Sequence, residues 1–201
     1  MATARPHGGT FRRADAQRPR YFRPMKLATA TPADAARLAR HVNAAYRGET
    51  ARQGWTTEAD LLDGQRIDEA GVADLLAQPD AAMLLALGAN GELVGSFHAQ
   101  IKGPVVYLGM LAVSPSQQTQ GVGRFLLAAA ENYGRQHGCT LSKMTVISVR
   151  AELIAYYERR GYHLTGATEP FPTDPRYGSP RQPLLLLVLE KALEQAGYGT
   201  M

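Results

Sequence analysis

Near the middle of the chain, Gln118-Thr119-Gln120-Gly121-Val122-Gly123 places two glycines one residue apart at the start of a helical pattern. A helix N-terminus leaves backbone N–H groups unpaired and carries the positive end of the helix dipole, so it attracts a phosphate. Glycines at 121 and 123 remove side chains that would hold an anion off the backbone, and Arg124 adds a formal charge beside them. Position 126 is Leu, so the dinucleotide fingerprint lacks its third small residue, and no Gly-Lys-Ser/Thr follows to make a Walker loop. For the loop alone, a purely structural turn is the competing reading.

The elements that must position this loop are legible from periodicity. Met25 to Ala30 reads as a first strand. Thr31-Pro32-Ala33-Asp34 has the N-cap, N1 proline and first-turn acid of a helix start. Ala35, Leu38, Val42 and Ala45 keep one apolar face to Tyr46, and Gly48 ends the helix. Short helices are expected at 57–62 and 68–76. Strands follow at 82–87, 93–102 and 105–113, joined by turns at Asn90-Gly91 and Gly103-Pro104, which makes an antiparallel meander. A helix at 121–137, a strand at 141–149, a helix at 151–159 and strands at 162–167 and 184–189 complete the chain, with a proline-rich loop at 170–183. This is a mixed α/β (α+β) pattern whose one strand-helix-strand crossover begins at the glycine loop.

Composition restricts the function classes. The pI of 9.3 invites a nucleic-acid reading, but the charge is local. Arg5, Arg12, Arg13, Arg18, Arg20 and Arg23 against Asp15 give residues 1–24 a balance of +5. The rest of the chain therefore holds −1 of the total +4. A near-neutral body gives no charge-based case for a nucleic-acid surface. Residues 1–24 are expected to be a disordered Arg-rich tail, with a targeting peptide or a phosphate-binding arm as the alternatives. A single folded domain spans 25–191 and a frayed end spans 192–201. No segment approaches a membrane span, so no membrane partner is expected. Cys139 is the lone cysteine and reads as core; a single thiol fits the reducing cytoplasm, which is the expected location.

Two further stretches make the loop specific. Leu111-Ala112-Val113-Ser114-Pro115 leads into it, and Tyr156-Tyr157-Glu158-Arg159-Arg160-Gly161-Tyr162 follows downstream. Together with Gln118-x-x-Gly121-x-Gly123 they resemble the "LAV-x-P" strand, the Gln/Arg-x-x-Gly-x-Gly/Ala loop and the Tyr-x-x-x-Gly-Phe/Tyr motif of the GNAT (GCN5-related N-acetyltransferase) superfamily. The motifs cover about residues 105–165, and the order of elements extends the likeness to roughly 25–190.

The resemblance implies a GNAT-like acyl-CoA N-acyltransferase fold, with an antiparallel first half and one parallel strand pair splayed at the CoA site. It implies acetyl-CoA as cosubstrate and no metal. Backbone groups of Leu111, Ala112 and Val113 would meet the pantetheine arm, and residues Gln118, Thr119, Gln120, Gly121, Val122, Gly123 and Arg124 the pyrophosphate. Tyr157 stands where the family often places the general acid for the departing thiolate, leaving Tyr156 as the core aromatic. Seven residues before Tyr157 the family often has an Asn; here Arg150 stands instead, open to a CoA phosphate or to Glu152.

The general base is left open among Glu49, Glu58, His98 and water. Tyr46, Arg47 and Glu49, through Trp55, are expected to flank the acceptor. The loop 169–182, with four prolines, Phe171, Arg176, Tyr177 and Arg181, would cover a small acidic or carboxylate-bearing substrate. The expected reaction is acetyl transfer to a small-molecule primary amine by direct attack. Acetylation of protein N-termini or lysines, and a non-catalytic acyl-CoA sensor, are the alternatives. The oligomeric state is open, a homodimer included.

Overall fold

The computed structural model describes residues 25–172, 174 and 178–194. The Arg-rich segment 1–24, Arg176, Tyr177 and residues 195–201 lie outside that range.

Strand β3 (Ala81–Leu87) is apolar at every position and buried over its central five residues. Such a strand needs cover on both faces. Its alternation supplies two cores. Met83 and Leu85 pack with Leu38, Val42 and Val72 on one face, from helices α1 (Ala35–Tyr46) and α3 (Glu69–Leu76). Ala82, Leu84 and Ala86 point the other way, into a larger core with Phe97, Val106, Leu126, Tyr157 and Leu189. Helices α4 (Val122–Gln136) and α5 (Ala151–Glu158) cover that face.

The remaining strands are β1 (Lys26–Thr29), β2 (Leu62–Asp63), β4 (Leu93–Lys102), β5 (Val105–Val113), β6 (Leu141–Ile147), β7 (His163–Pro170), β8 (Ser179–Pro180) and β9 (Leu185–Ala192). Six of them join β3 in one seven-stranded sheet, in the order β1-β3-β4-β5-β6-β9-β7, in which β5–β6 is the parallel pair and every other pairing is antiparallel. The mixed sheet expected from the pattern is therefore the one observed. The last strand inserts between β6 and β7, a placement that periodicity does not reveal.

Local differences have identifiable causes. Thr31 is the expected N-cap and forms a capping box with Asp34, but Pro32–Asp34 is a 3-10 turn and the α-helix proper begins at Ala35. Gly48 ends α1, with φ of 70°, yet a second short helix α2 (Gly48–Arg52) starts there at once. The helix expected at 57–62 is absent. Glu58 instead turns the chain, its N–H donating to the Tyr46 carbonyl and its own carbonyl accepting from Leu61 and Leu62. Leu62–Asp63 then pairs with Ser179–Pro180. Leu193, assigned in sequence to the frayed end, is buried, and its N–H donates to the Thr140 carbonyl.

Candidate active site

The parallel pairing of β5 with β6 runs only from Val105↔Leu141 to Leu108↔Met144. Both strands continue, but apart. The cause lies on the other edge of β5, where Gly109 faces His98 and Ala112 faces Ser96, so that Met110 and Leu111 together stand opposite Phe97. That extra residue is a β-bulge, which bends and twists the strand locally. Met110 adopts φ of 56°, a left-handed conformation that costs a non-glycine residue on the order of 1–3 kcal/mol. Tyr46, at the end of α1, donates its hydroxyl to the Leu111 carbonyl at 2.8 Å.

Beyond the bulge, Pro115–Gln117 makes a 3-10 turn and leads into the glycine loop. Gly121 caps α4 from a left-handed backbone (φ of 89°) and offers no side-chain acceptor. The first intrahelical bond on this turn is Phe125 N–H to the Gly121 carbonyl, so the amides of Val122 and Gly123 have no acceptor within the helix. An added Cβ at Gly123 would stand 2.7 Å from the Tyr156 hydroxyl. The Gln118 side chain accepts from the Trp55 N–H at 2.8 Å and reaches the Val113 carbonyl at 3.4 Å.

A cavity of about 1010 Å³ runs from this loop along Leu111 and Val113, walled by Trp55, Tyr156, Tyr157, Arg159 and Arg160. Trp55 and Tyr156 lie with ring centroids 5.8 Å apart, and the Arg160 guanidinium lies over the Tyr156 ring, 3.4 Å from its centroid. A second cavity of about 340 Å³ lies behind, with Glu58, Arg66, Met110, Met144, Ile147 and Phe171 in its wall. Tyr46, Leu111, Arg150, Leu153 and Tyr157 belong to both walls.

Electrostatics at this junction are set by burial. Tyr157 is held well above the ordinary phenol range by desolvation first, with the neighbouring Tyr46 phenol adding to it. Tyr46 is pushed up to about 12 by desolvation and then by the Glu58 carboxylate. Both phenols are thus protonated at neutral pH. Glu58 sits between two guanidiniums: Arg47 Nη1 donates to one carboxylate oxygen and Arg150 Nη1 to the other at 3.1 Å, all three side chains being almost fully buried. Arg150 also donates to Thr56 Oγ1, which in turn donates to Glu152 at 2.8 Å.

The acetyltransferase (GNAT) family model matches residues 41–162, well over half of the chain, and spans the bulged strand, the loop and α5. The chain belongs to the GNAT acetyltransferase family. It is 34% identical over 119 residues to an aminoglycoside N(6')-acetyltransferase type 1 of Stenotrophomonas maltophilia, covering 55% of this chain and 67% of that protein. An aminoalkylphosphonate N-acetyltransferase of Salmonella typhimurium is also 34% identical, over 50% of this chain and 68% of that protein. In fold it is similar to the ribosomal-protein-S18-alanine N-acetyltransferase of Escherichia coli, with a TM-score of 0.63 at 17% identity over 89% of this chain and 99% of that one. A Salmonella typhimurium structure titled as an acetyltransferase with acetyl-CoA gives a TM-score of 0.63 at 20% identity, over 88% and 98%.

In this acetyltransferase the expected cofactor residues 118–124, with Leu111 and Val113, come together along one cavity wall. Ala112 does not; its side chain is buried in the α1/α3 core, and its carbonyl lies 3.5 Å from His41 Nε2. The two tyrosines of α5 need a correction. Tyr157 is the buried core aromatic, although it also reaches both cavities, whereas Tyr156 is half-buried and lies over the loop. Arg150, expected on a CoA phosphate or on Glu152, is committed chiefly to Glu58 and Thr56, with Glu152 at 3.5 Å from its Nε.

Two expected acceptor contacts lie elsewhere. Glu49 points outward on α2, its side chain 91% exposed and paired with Arg52. Arg181 is held over Asp63 by the β2–β8 pairing, exposed and in neither cavity wall. His98 is in neither wall; burial depresses its pKa, and its Nε2 has no hydrogen-bond partner. Arg47 backs Glu58 from behind the walls. Sequence reading missed Thr56, Arg66 and the bulge at Met110. The bulge had a signal in Gly109, since a lone glycine inside a strand often marks one.

Proposed function

We propose that the enzyme moves the acetyl group of acetyl-CoA to the primary amine of a small molecule, by direct attack in a ternary complex with Tyr157 as general acid. The observation that carries this reading is the meeting of a long cavity and a small one at Leu111 and Tyr157. The long one ends at uncapped helix amides suited to a pyrophosphate. The small one has the volume of a metabolite.

The residues fit acetyl-CoA in a specific way. Gly121 and Gly123 keep the loop amides bare, and β5 beyond Leu108 has an edge that β6 leaves unpaired, which suits the amide-bearing pantetheine arm. The cosubstrate supplies an acyl group activated as a thioester. The Leu111 amide is placed to polarise the carbonyl and stabilise charge that develops on its oxygen. As the C–S bond breaks, Tyr157, which burial keeps protonated, gives its phenolic proton to the departing thiolate. Glu58 has both oxygens occupied by guanidiniums, so the ammonium of the acceptor loses its proton to water.

The small cavity also narrows the acceptor. Its wall is mainly apolar, with Arg66 and Arg150 against the single carboxylate Glu58, which two arginines already match. This favours an amine with an apolar body over a polycation. The test is CoA release on a panel containing apolar amino acids, an aminoalkylphosphonate, an aminoglycoside and an N-terminal peptide. Turnover confined to the aminoglycoside or to the peptide overturns the acceptor reading. Binding of CoA with no release on any amine leaves the sensor reading.

A further inference from the structure

Tyr46 was expected to contact the acceptor. It lines both cavities, and its hydroxyl is committed to the strand. The hydroxyl donates to the Leu111 carbonyl at 2.8 Å, immediately after the left-handed Met110 and three residues past the last paired rung of β5 with β6. Tyr46 also anchors from its other end, because its backbone carbonyl accepts the Glu58 N–H at 3.2 Å. The phenol therefore spans from the wall of the small cavity to the bulge itself.

We infer that Tyr46 is a positioning residue: its hydroxyl fixes the peptide plane that joins Leu111 to Ala112, and through the Leu111 backbone it restrains the adjoining Leu111 N–H that the proposed reaction aims at the thioester. The inference rests on the proposed acetyl transfer. Three features of the strand make such a brace necessary. Leu111 lies in a bulge, where two residues face the single Phe97 and ladder bonds are disrupted. Met110 holds a backbone conformation that would relax if nothing opposed it. On the opposite edge, β6 has already diverged. His41 gives weaker support one residue on, with Nε2 3.5 Å from the Ala112 carbonyl, so α1 touches two consecutive carbonyls of the same stretch. An oxyanion donor misaligned by a fraction of an ångström loses much of its effect on the transition state while the ground-state cosubstrate still binds.

The experiment is Tyr46→Phe, which keeps the ring and removes only the brace. Steady-state kinetics are measured with the wild type's best amine, beside CoA affinity, thermal midpoint and hydrogen exchange of the 109–113 amides. The expected result is a kcat lower by about tenfold, equivalent to ~1.4 kcal/mol of transition-state stabilisation. KM for both substrates and CoA affinity stay within about twofold, the alkaline limb of the pH profile stays in place, and exchange at 110–112 is faster. A kcat within twofold of wild type overturns the inference. So does a change confined to the amine KM, which returns Tyr46 to acceptor recognition, or a shifted alkaline limb, which makes it a proton donor. If wild type transfers no acetyl group, the proposed function fails by that result alone. Hydrogen exchange then still decides whether Tyr46 braces the bulge.

Discussion

Gly123 and the Tyr156 hydroxyl touch across the mouth of the larger cavity: a methyl group at 123 would lie 2.7 Å from that oxygen. The aromatic ring lies against both Arg160 and Trp55, which limits its room to yield. Gly123→Ala is therefore expected to push Tyr156 off the loop and weaken CoA binding by at least tenfold, with a smaller loss of kcat. Isothermal titration with CoA measures this. The double variant Gly123→Ala/Tyr156→Phe is expected to recover part of the loss, because the clash involves the hydroxyl.

Glu58 tests the buried charge network. Replacing it with Gln leaves Arg47 and Arg150 without their carboxylate in a nearly dry site. Breaking a buried ion pair typically costs about 3–5 kcal/mol. Glu58→Gln is expected to lower the midpoint of chemical denaturation by that order, and to do so in the absence of any substrate. A change of less than ~1 kcal/mol would show the network to be solvated.

Alkaline stability follows from the phenols. Tyr46 titrates at about 12 when folded against 10.0 ordinarily, so the folded state keeps a proton that the unfolded chain releases. Its contribution to stability is complete below pH 10 and declines as pH rises from 10 to about 12, by up to roughly 3 kcal/mol. Tyr157 and Tyr162, raised in the same direction by burial, extend the loss to higher pH. Denaturation midpoints at pH 9.5 and 11.5 are expected to differ less in Tyr46→Phe than in wild type. Equal slopes would contradict the shift.

Arg181 and Glu49 serve as controls. Both are exposed and occupied by Asp63 and Arg52, so Arg181→Ala and Glu49→Gln are expected to leave the acceptor KM within twofold.

The loop, its strand and α5 were legible because their signals are local: glycine spacing, a helix start and an apolar strand read directly from neighbouring residues. Sheet class followed from turn signals such as Asn90-Gly91. The acceptor side was not legible, because it is assembled at long range. Glu58 meets Arg150 across 92 positions, and Thr56 meets Glu152 across 96. Nothing in the turn at 57–62 announces that its carboxylate is buried rather than solvated on a helix. The burial of Tyr156 and Tyr157 was misjudged for a related reason. Motif spacing locates a pair of side chains, but the one that packs inward depends on the helix axis, which tertiary contacts with Met144 and Leu189 settle.

The central claim is that Tyr157, at the meeting of the two cavities, protonates the departing thiolate during acetyl transfer to a small amine. Thiol release from acetyl-CoA, followed with wild type and Tyr157→Phe on the same amine panel, tests it most directly. The account predicts CoA and N-acetylated amine in equal amounts for wild type. It predicts a kcat lower by about 10²-fold or more in the variant, with CoA affinity retained. Release by Tyr157→Phe at the wild-type rate, across the pH range, would contradict it.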